Sequence, residues 1–546
     1  MPAAGRGARS ETRRAAIRVA SNYMRLAITL AFGIAIVPAW FAWLGDDAFG
    51  IITLFSAAVG LPAIFRELIR TGIIRELAAA YNSNDDAHFR ATFNATLMIS
   101  SGCSVLTMIS FGIMVAIVPL FNVPPDLVVP VQWMVAAQGV YLALFAMLMP
   151  IFNMYVVSER FMAYNNWLVM ERGSQLASVL ILGWVVNVGN RGHGVIAFGA
   201  LSSGLNVITL LTACAIMISL DRRLLPAPRL ATREAAKSVL HTFGWNSCVQ
   251  VALTLHERLP HVIMNLAFGA MGNVVFGVAL RYSSYIRMAT VGMTFGLDAV
   301  SARIGSSNDA VAVRTLVRHA CRMQAMISLG AGVLTFTLCR PMLWVWVGSK
   351  LDDPANLEPM VRIAQVMIIA ITARALSDVW ITMLYGLGYV RKYAPYVMAG
   401  GVLSPILAVV LLFVMPGKSA LLAPAIAFGA IMIVVHMVVV QRLGARLLGL
   451  GFWDVVAPLG RPVLCAGLAS GVLLGSLALV RAWDVPTLLG VVALYGSLYA
   501  GLCWLIVLEA PDRALVIRAI RRVIGRPAPG KPVPAGALTG QSDPRD

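Results

Sequence analysis

Apolar runs long enough to cross a bilayer follow one another almost without interruption along this chain, and that alone removes most folds from consideration. A spanning helix needs about 20 predominantly apolar residues. Fourteen such runs can be placed: 19–44, 51–75, 93–121, 131–157, 167–188 and 194–220 in the first half; 238–266, 274–303, 319–347, 360–388, 394–415 and 419–441 in the second; 457–481 and 486–508 at the end. Lipid satisfies no backbone N–H or C=O, so runs of this length fold as helices. The expected fold class is all-α and integral to the membrane.

Composition agrees. Hydrophobic residues make up 59% and charged residues 12%, with a mean hydropathy of +0.80, outside the range of soluble domains. The net charge of +18 does not point to nucleic acid, because Lys and Arg sit in the connections between apolar runs. The seven cysteines all fall within apolar runs, lack metal-ligand spacing and read as small core residues. Arg6, Arg9, Arg13, Arg14 and Arg18 precede an apolar run too long for a signal-peptide core, so the first span is expected to stay in the mature protein.

The two halves repeat. Shifted by 224 positions, Asn246 falls on Asn22, Gly269 on Gly45, Ser307-Asn308-Asp309 on Ser83-Asn84-Asp85, and Arg314 on Arg90. A duplicated helical unit in a hydrophobic chain is the mark of a transporter built from repeats. The segments expected are a basic cytoplasmic N-terminus (1–18), a six-helix lobe (19–220), a cytoplasmic linker (221–237), a second six-helix lobe (238–441) and an appended helical hairpin (457–508). A basic amphipathic helix (511–526) suited to the inner leaflet surface and a disordered tail (527–546) follow. Only Arg191, Lys350, Lys418 and Arg481 lie in the connections assigned to the outside, so the positive-inside rule places both termini in the cytoplasm.

Charge inside the spans points to function. In the seventh span Asn246, Gln250, Thr254, Glu257 or Arg258, His261 and Asn265 recur every three or four residues and share one helix face. In the eighth, Ser283, Arg287, Thr290, Thr294 and Asp298 do the same. A charge at mid-bilayer costs about 2.5–3.5 kcal/mol on insertion scales, so both stripes are expected to face a shared wet cavity. Arg258, Arg287 and Arg374 lie too deep for easy snorkelling, with a structural ion pair to Glu257, Asp298 or Asp378 as the alternative. Arg25, Arg66 and Arg70 either join them or snorkel to headgroups; Arg281 and Arg340 read as snorkelling on the outer side. Planar guanidiniums suit a diphosphate, and Glu257 and Asp378 are the best-placed acids for ion coupling. Phe32, Trp40, Phe41 and Trp43 read as packing and interfacial belt.

No nucleotide-binding loop, metal set or nucleophile–base pair is visible, so neither enzyme activity nor a cofactor is expected. Asp46-Asp47 matches where some membrane glycosyltransferases hold a metal, but those enzymes usually carry a sizeable outside domain, and the outside here is nearly bare.

The stretches S-N-Y-M-R-L at 21–26, L-G-D-D-A-F-G at 44–50, R-E-L-A-A-A-Y-N-S-N-D-D at 75–86 and F-G-A-M-G-N-V-V-F-G at 268–277 resemble the Wzx-type polysaccharide-export flippases of the multidrug/oligosaccharidyl-lipid/polysaccharide exporter superfamily. The resemblance implies two pseudo-symmetric lobes around a central V-shaped cavity in a bacterial cytoplasmic membrane. It implies alternating access moving an undecaprenyl-diphosphate-linked oligosaccharide outward, with membrane lipids and the pathway's polymerase and glycosyltransferases as partners. From the family, cationic cavity positions carry over to Arg25, Arg66, Arg258 and Arg287. The lipid II flippase is a relative with the same span count. Its glycine- and arginine-rich first-helix motif is missing here, which argues against a peptidoglycan precursor as cargo. A cation-coupled exporter of drugs or metabolites on the same fold is the alternative.

Overall fold

The computed structural model describes residues 4–58, 73–74, 76–83, 85–185, 191–242, 244–294, 297–306 and 310–523. In the first lobe α1 (Ala4–Ala58), α2 (Asp86–Ile117), α3 (Val128–Val157), α4 (Phe161–Val185) and α5 (Arg191–Leu220) follow in order. A short α6 (Arg233–Thr242) leads to the second lobe: α7 (Gly244–Thr294), α8 (Leu297–Ser306), α9 (Ala310–Thr337), α10 (Cys339–Trp346), α11 (Leu357–Gly386) and α12 (Val390–Val414). Then α13 (Ala423–Ile431) passes through a π-helical stretch, Met432–Val440, into α14 (Gln441–Leu447). The chain ends with α15 (Phe452–Leu479), α16 (Val485–Leu502) and α17 (Ala510–Val523).

The longest helices, α1 and α7, are each two limbs joined at a glycine. Gly45 has φ 78° and Gly269 has φ 66°, left-handed values that a side chain disfavours. These are the two glycines that the 224-residue shift superposes. Each first limb also carries an internal proline, Pro38 and Pro260. Downstream of α1, Asp85 caps α2 by accepting from the backbone N–H of Ala87 (2.9 Å) and His88 (3.0 Å).

Among the described residues ten helices are long and apolar enough to cross a membrane, or eleven if Val311–Thr337 and Cys339–Lys350, bent by 72°, form one span. This is fewer than the fourteen expected, for physical reasons. α1 and α7 count once each although each has two limbs, and the second limb of α1 runs into residues outside the described set. α4, which carries Glu171 and Arg172, is not among the ten.

The apolar core shows how the lobes meet. Its largest cluster draws on both: Trp40, Phe49 and Phe55 of α1, with Phe198 of α5, pack with Val275 and Phe276 of α7, Leu343 of α10 and Met367 of α11. A second cluster lies wholly in the first lobe, around Phe89, Tyr155 and Met217, and a third wholly in the second, around Val317, Trp380 and Tyr393. The lobes are therefore joined at one end and have separate cores toward the other.

At the joined end polar groups cross the seam. The Asp352 backbone N–H donates to the Asp46 carboxylate (3.0 Å) and the Asp46 N–H donates to the Asp352 carboxylate (3.4 Å). The Asn122 side-chain amide donates to the carbonyl of Asn265 (3.0 Å), and the Trp346 indole to the carbonyl of Ile34 (2.8 Å). Asp46, the acidic residue considered above as a metal ligand, is thus an interlobe clasp.

The terminal hairpin packs on α9. The Tyr495 and Tyr499 hydroxyls donate to the carbonyls of Gly330 (3.0 Å) and Met326 (2.6 Å). Arg314 and Arg318 both grip Asp454 at the start of α15. Arg322 pairs with Glu509 and with Asp512 (2.8 Å), which fastens the start of α17 to α9.

Candidate binding cavity

Two cavities, each of about 260 Å³, lie where the lobes meet and share Ser56, Arg258 and Arg281. The break at Gly269 folds the two limbs of α7 back on each other, so their polar stripes face one another. The first cavity takes Glu257, Arg258 and His261 from one limb and Arg281, Ser284 and Arg287 from the other; both sets have the three-to-four-residue spacing of a single helix face. Thr53 and Ser56 of α1, Arg374 of α11 and Phe428 of α13 complete the wall.

The ion pairs are shared rather than one-to-one. Arg287 Nη1 lies 2.9 Å from Glu257 Oε1, and its Nε lies 3.7 Å from Asp378 Oδ2. Asp378 also meets Arg374 Nε at 3.0 Å, one turn away on the same helix. Arg374 is 4% exposed and touches His436 in the π-helical stretch. The Glu257 and Arg287 side chains each keep 36% of their surface accessible, so their pocket is wet. Four guanidiniums, of Arg258, Arg281, Arg287 and Arg374, line this cavity with one carboxylate, Glu257, and Asp378 stands behind it. Arg281 lies with its guanidinium carbon 4.8 Å from the centre of the Trp40 ring, a cation–π contact.

The second cavity belongs mainly to the first lobe. Gln138 and Tyr141 come from α3, Glu171, Arg172 and Gln175 from α4, Ser202, Ser203 and Asn206 from α5, and Trp40 from α1. Tyr141 donates to Glu171 at 2.9 Å, and Ser174 donates to Asn206.

Of the residues singled out in the sequence, Arg258, Arg287, Arg374 and Glu257 line the first cavity, and Asp378 anchors two of those cations from behind. Arg25 lines neither of these two cavities; its guanidinium donates to Asn22 at 2.8 Å. Gln250 also lines neither, and the hydroxyl of Thr254 donates to its carbonyl (2.8 Å). Asn246 falls in α7 with its side chain outside the described set, and Arg66 lies outside the described residues. Asn265, expected on the cavity stripe, instead binds Asn122. Arg281, read as snorkelling, and Trp40, read as packing and interfacial belt, both line the second cavity, and Trp40 does pack in the core. The amides and hydroxyls of α3 to α5 carried no sequence signal, because uncharged polar residues barely interrupt an apolar run.

No protein-family model matches the chain, and no curated protein matches it in sequence. Solved structures do match it in fold. The inward-facing conformation of a multidrug resistance MATE family transporter of the MOP superfamily has a TM-score of 0.65 at 14% identity, covering 78% of this chain and 98% of that one. The lipid II flippase MurJ, in an inward closed conformation, has a TM-score of 0.64 at 9% identity, covering 92% of this chain and 99% of that one. A MOP superfamily transporter from Pyrococcus furiosus, described as having a binding pocket of reversed polarity, has a TM-score of 0.57 at 14% identity, covering 79% and 95%. At these identities the likeness is one of architecture: the chain has the multi-pass helical fold of MOP superfamily transporters.

Proposed function

We propose that this chain is an alternating-access flippase that carries an undecaprenyl-diphosphate-linked oligosaccharide across the cytoplasmic membrane for polysaccharide biosynthesis. The observation that carries this reading is the cluster of Arg258, Arg281, Arg287 and Arg374 around one wet cavity. A diphosphate joining a polyprenol to a sugar carries two negative charges, and guanidinium forks hold phosphate oxygens bidentately. Arriving phosphate would compete with Glu257 for Arg287, freeing a carboxylate that a cation or proton can take. The prenyl tail stays in lipid. With the topology expected from the Lys and Arg bias, the joined end faces outward and the divergent end opens to the cytoplasm, the loading state of an export cycle.

The test is Arg258→Ala. Export of lipid-linked glycan should be lost while the protein remains expressed, inserted and monodisperse; normal export by that variant removes Arg258 from the mechanism.

The fold is shared with a multidrug transporter, which keeps a cation-coupled exporter of drugs or metabolites as the second reading. That chemistry needs acids to dominate the cavity, whereas here both acids are already engaged by arginines. Efflux of cationic dyes without a glycan phenotype would favour it.

A further inference from the structure

We propose that the second cavity is a subsite for the first saccharide of the cargo, a neutral sugar read by indole, hydroxyl and amide groups. The inference rests on the diphosphate reading of the first cavity.

Buried polar groups in folded proteins almost always have hydrogen-bond partners; among the described residues that line this cavity three such atoms lack one, on Trp40, on Ser203 and on Arg281, which the first cavity shares. Trp40 is 4% exposed and packs against Phe49 and Phe198, with ring centroids 5.8 and 5.7 Å away, yet its Nε1–H meets no acceptor. Ser203 is 5% exposed, and its hydroxyl is likewise unpaired. Both line the cavity, and the half-buried amides of Gln138 and Gln175 converge on it from neighbouring helices. Glu171 and Arg172 are of opposite sign, and the other two charges on the wall, Arg258 and Arg281, are shared with the first cavity and assigned to the phosphate. Such a wall suits a ligand that both donates and accepts hydrogen bonds and bears no charge, which describes the hydroxyls of a hexose.

Position supports the same assignment. In a diphosphate-linked glycan the first sugar is bonded directly to the phosphate, so its pocket must adjoin the phosphate site. The two cavities share Arg258 and Arg281, and this lobe-to-lobe split places phosphate on the second lobe and sugar on the first.

The experiment uses purified full-length protein in lipid nanodiscs. Binding is measured for undecaprenyl diphosphate and for undecaprenyl diphosphate bearing a single glucose, galactose or N-acetylglucosamine. At least one sugar-bearing lipid should bind about tenfold tighter than the bare lipid. Trp40→Phe and Gln175→Ala should each remove most of that gain, and Gln175→Ala should leave bare-lipid affinity within about twofold. Trp40→Phe also trims a ring packed against Phe49 and Phe198, so Gln175→Ala, at a half-buried position, is the variant that should leave the melting temperature unchanged. If no sugar improves on the bare lipid, or the gain survives both substitutions, the groups are merely hydrated and the subsite is refuted. If the bare lipid itself fails to bind wild-type protein, the diphosphate reading falls, and this one with it.

Discussion

Thr53 and Gly277 stand 224 positions apart, the interval that superposes the two halves, and they touch: a Cβ placed on Gly277 would lie 2.3 Å from Thr53 Cγ2. Gly50 and Val274 are a second pair at the same interval, and a Cβ on Gly50 would lie 3.0 Å from Val274 Cγ2. Residues exchanged by a two-fold operation meet only at its axis, so the pseudo-symmetry axis passes between these helices. Ser56, shared by both cavities, is one turn from Thr53. The cavities therefore flank the axis, where a rocking motion of two lobes displaces atoms least.

The close approach at the axis makes Gly50 intolerant. An added Cβ would come within 2.4 Å of the Ala270 carbonyl oxygen, which is backbone and cannot rotate away. Overpacking of this kind costs about 1–3 kcal/mol. Gly50→Ala should lower the melting temperature of the purified protein, while Gly204→Ala, with nothing within 4 Å, should not. Equal melting of both variants would remove the close approach as a constraint.

Arg287 serves two acids, so its loss should be felt beyond transport. Arg287→Ala leaves Glu257 without its 2.9 Å partner. The side chains are about a third accessible, so water softens the penalty to about 1–2 kcal/mol rather than that of a dry pair. Neutralising both members, Glu257→Gln with Arg287→Gln, should restore stability but not transport. Chemical denaturation and an export assay on the same three variants check this; a double variant that transports normally would contradict the phosphate role of Arg287.

The reciprocal clasp between Asp46 and Asp352 predicts a shift of state. Asp352→Ala removes an acceptor for the Asp46 N–H and should loosen the joined end. A cysteine introduced at Leu351, which is 8% exposed, in a background lacking native cysteines, should then react faster with a membrane-impermeant thiol reagent from the outer side. Unchanged labelling would mean that apolar packing alone holds the seam.

Acid should act on the connection after α5. Arg223 bonds the Asp221 carboxylate, and this contact holds the Asp221 carboxyl below its usual range. A lowered folded-state pKa gives stability that is present above the unfolded pKa and lost as pH falls through the folded value. Wild-type protein should therefore melt above Asp221→Asn at neutral pH, and the gap should close as pH drops below the ordinary carboxyl range. A gap that is constant from pH 7 to 3 would rule out the linkage.

The fold was largely legible from composition and spacing. Gly45 and Gly269 announced the two-limbed helices because nothing else tolerates their backbone, and the unaffordable charges of Glu257, Arg258, Arg287 and Arg374 announced the first cavity. The second was hidden. Gln138, Gln175 and Asn206 cost little inside an apolar run, so no energetic conflict flagged them. Trp40 was legible as a packing residue but not as a cavity residue, because an aromatic near the end of a span has the same sequence appearance whether it faces headgroups or the interior. His436 became visible as a neighbour of Arg374 only once the chain was folded, since 62 positions separate them.

The largest apolar cluster straddles both lobes, whereas the second and third are private to one lobe each. A carrier of the proposed kind would have to dismantle the shared one on every trip and leave the private ones untouched. Too perfect a seal would trap it. Fastening that seam with a few short-range contacts, such as backbone hydrogen bonds to Asp46 and Asp352 and glycines pressed against their neighbours, gives an attachment that vanishes within the first ångström or two of separation, so release can be abrupt without the closed end leaking beforehand.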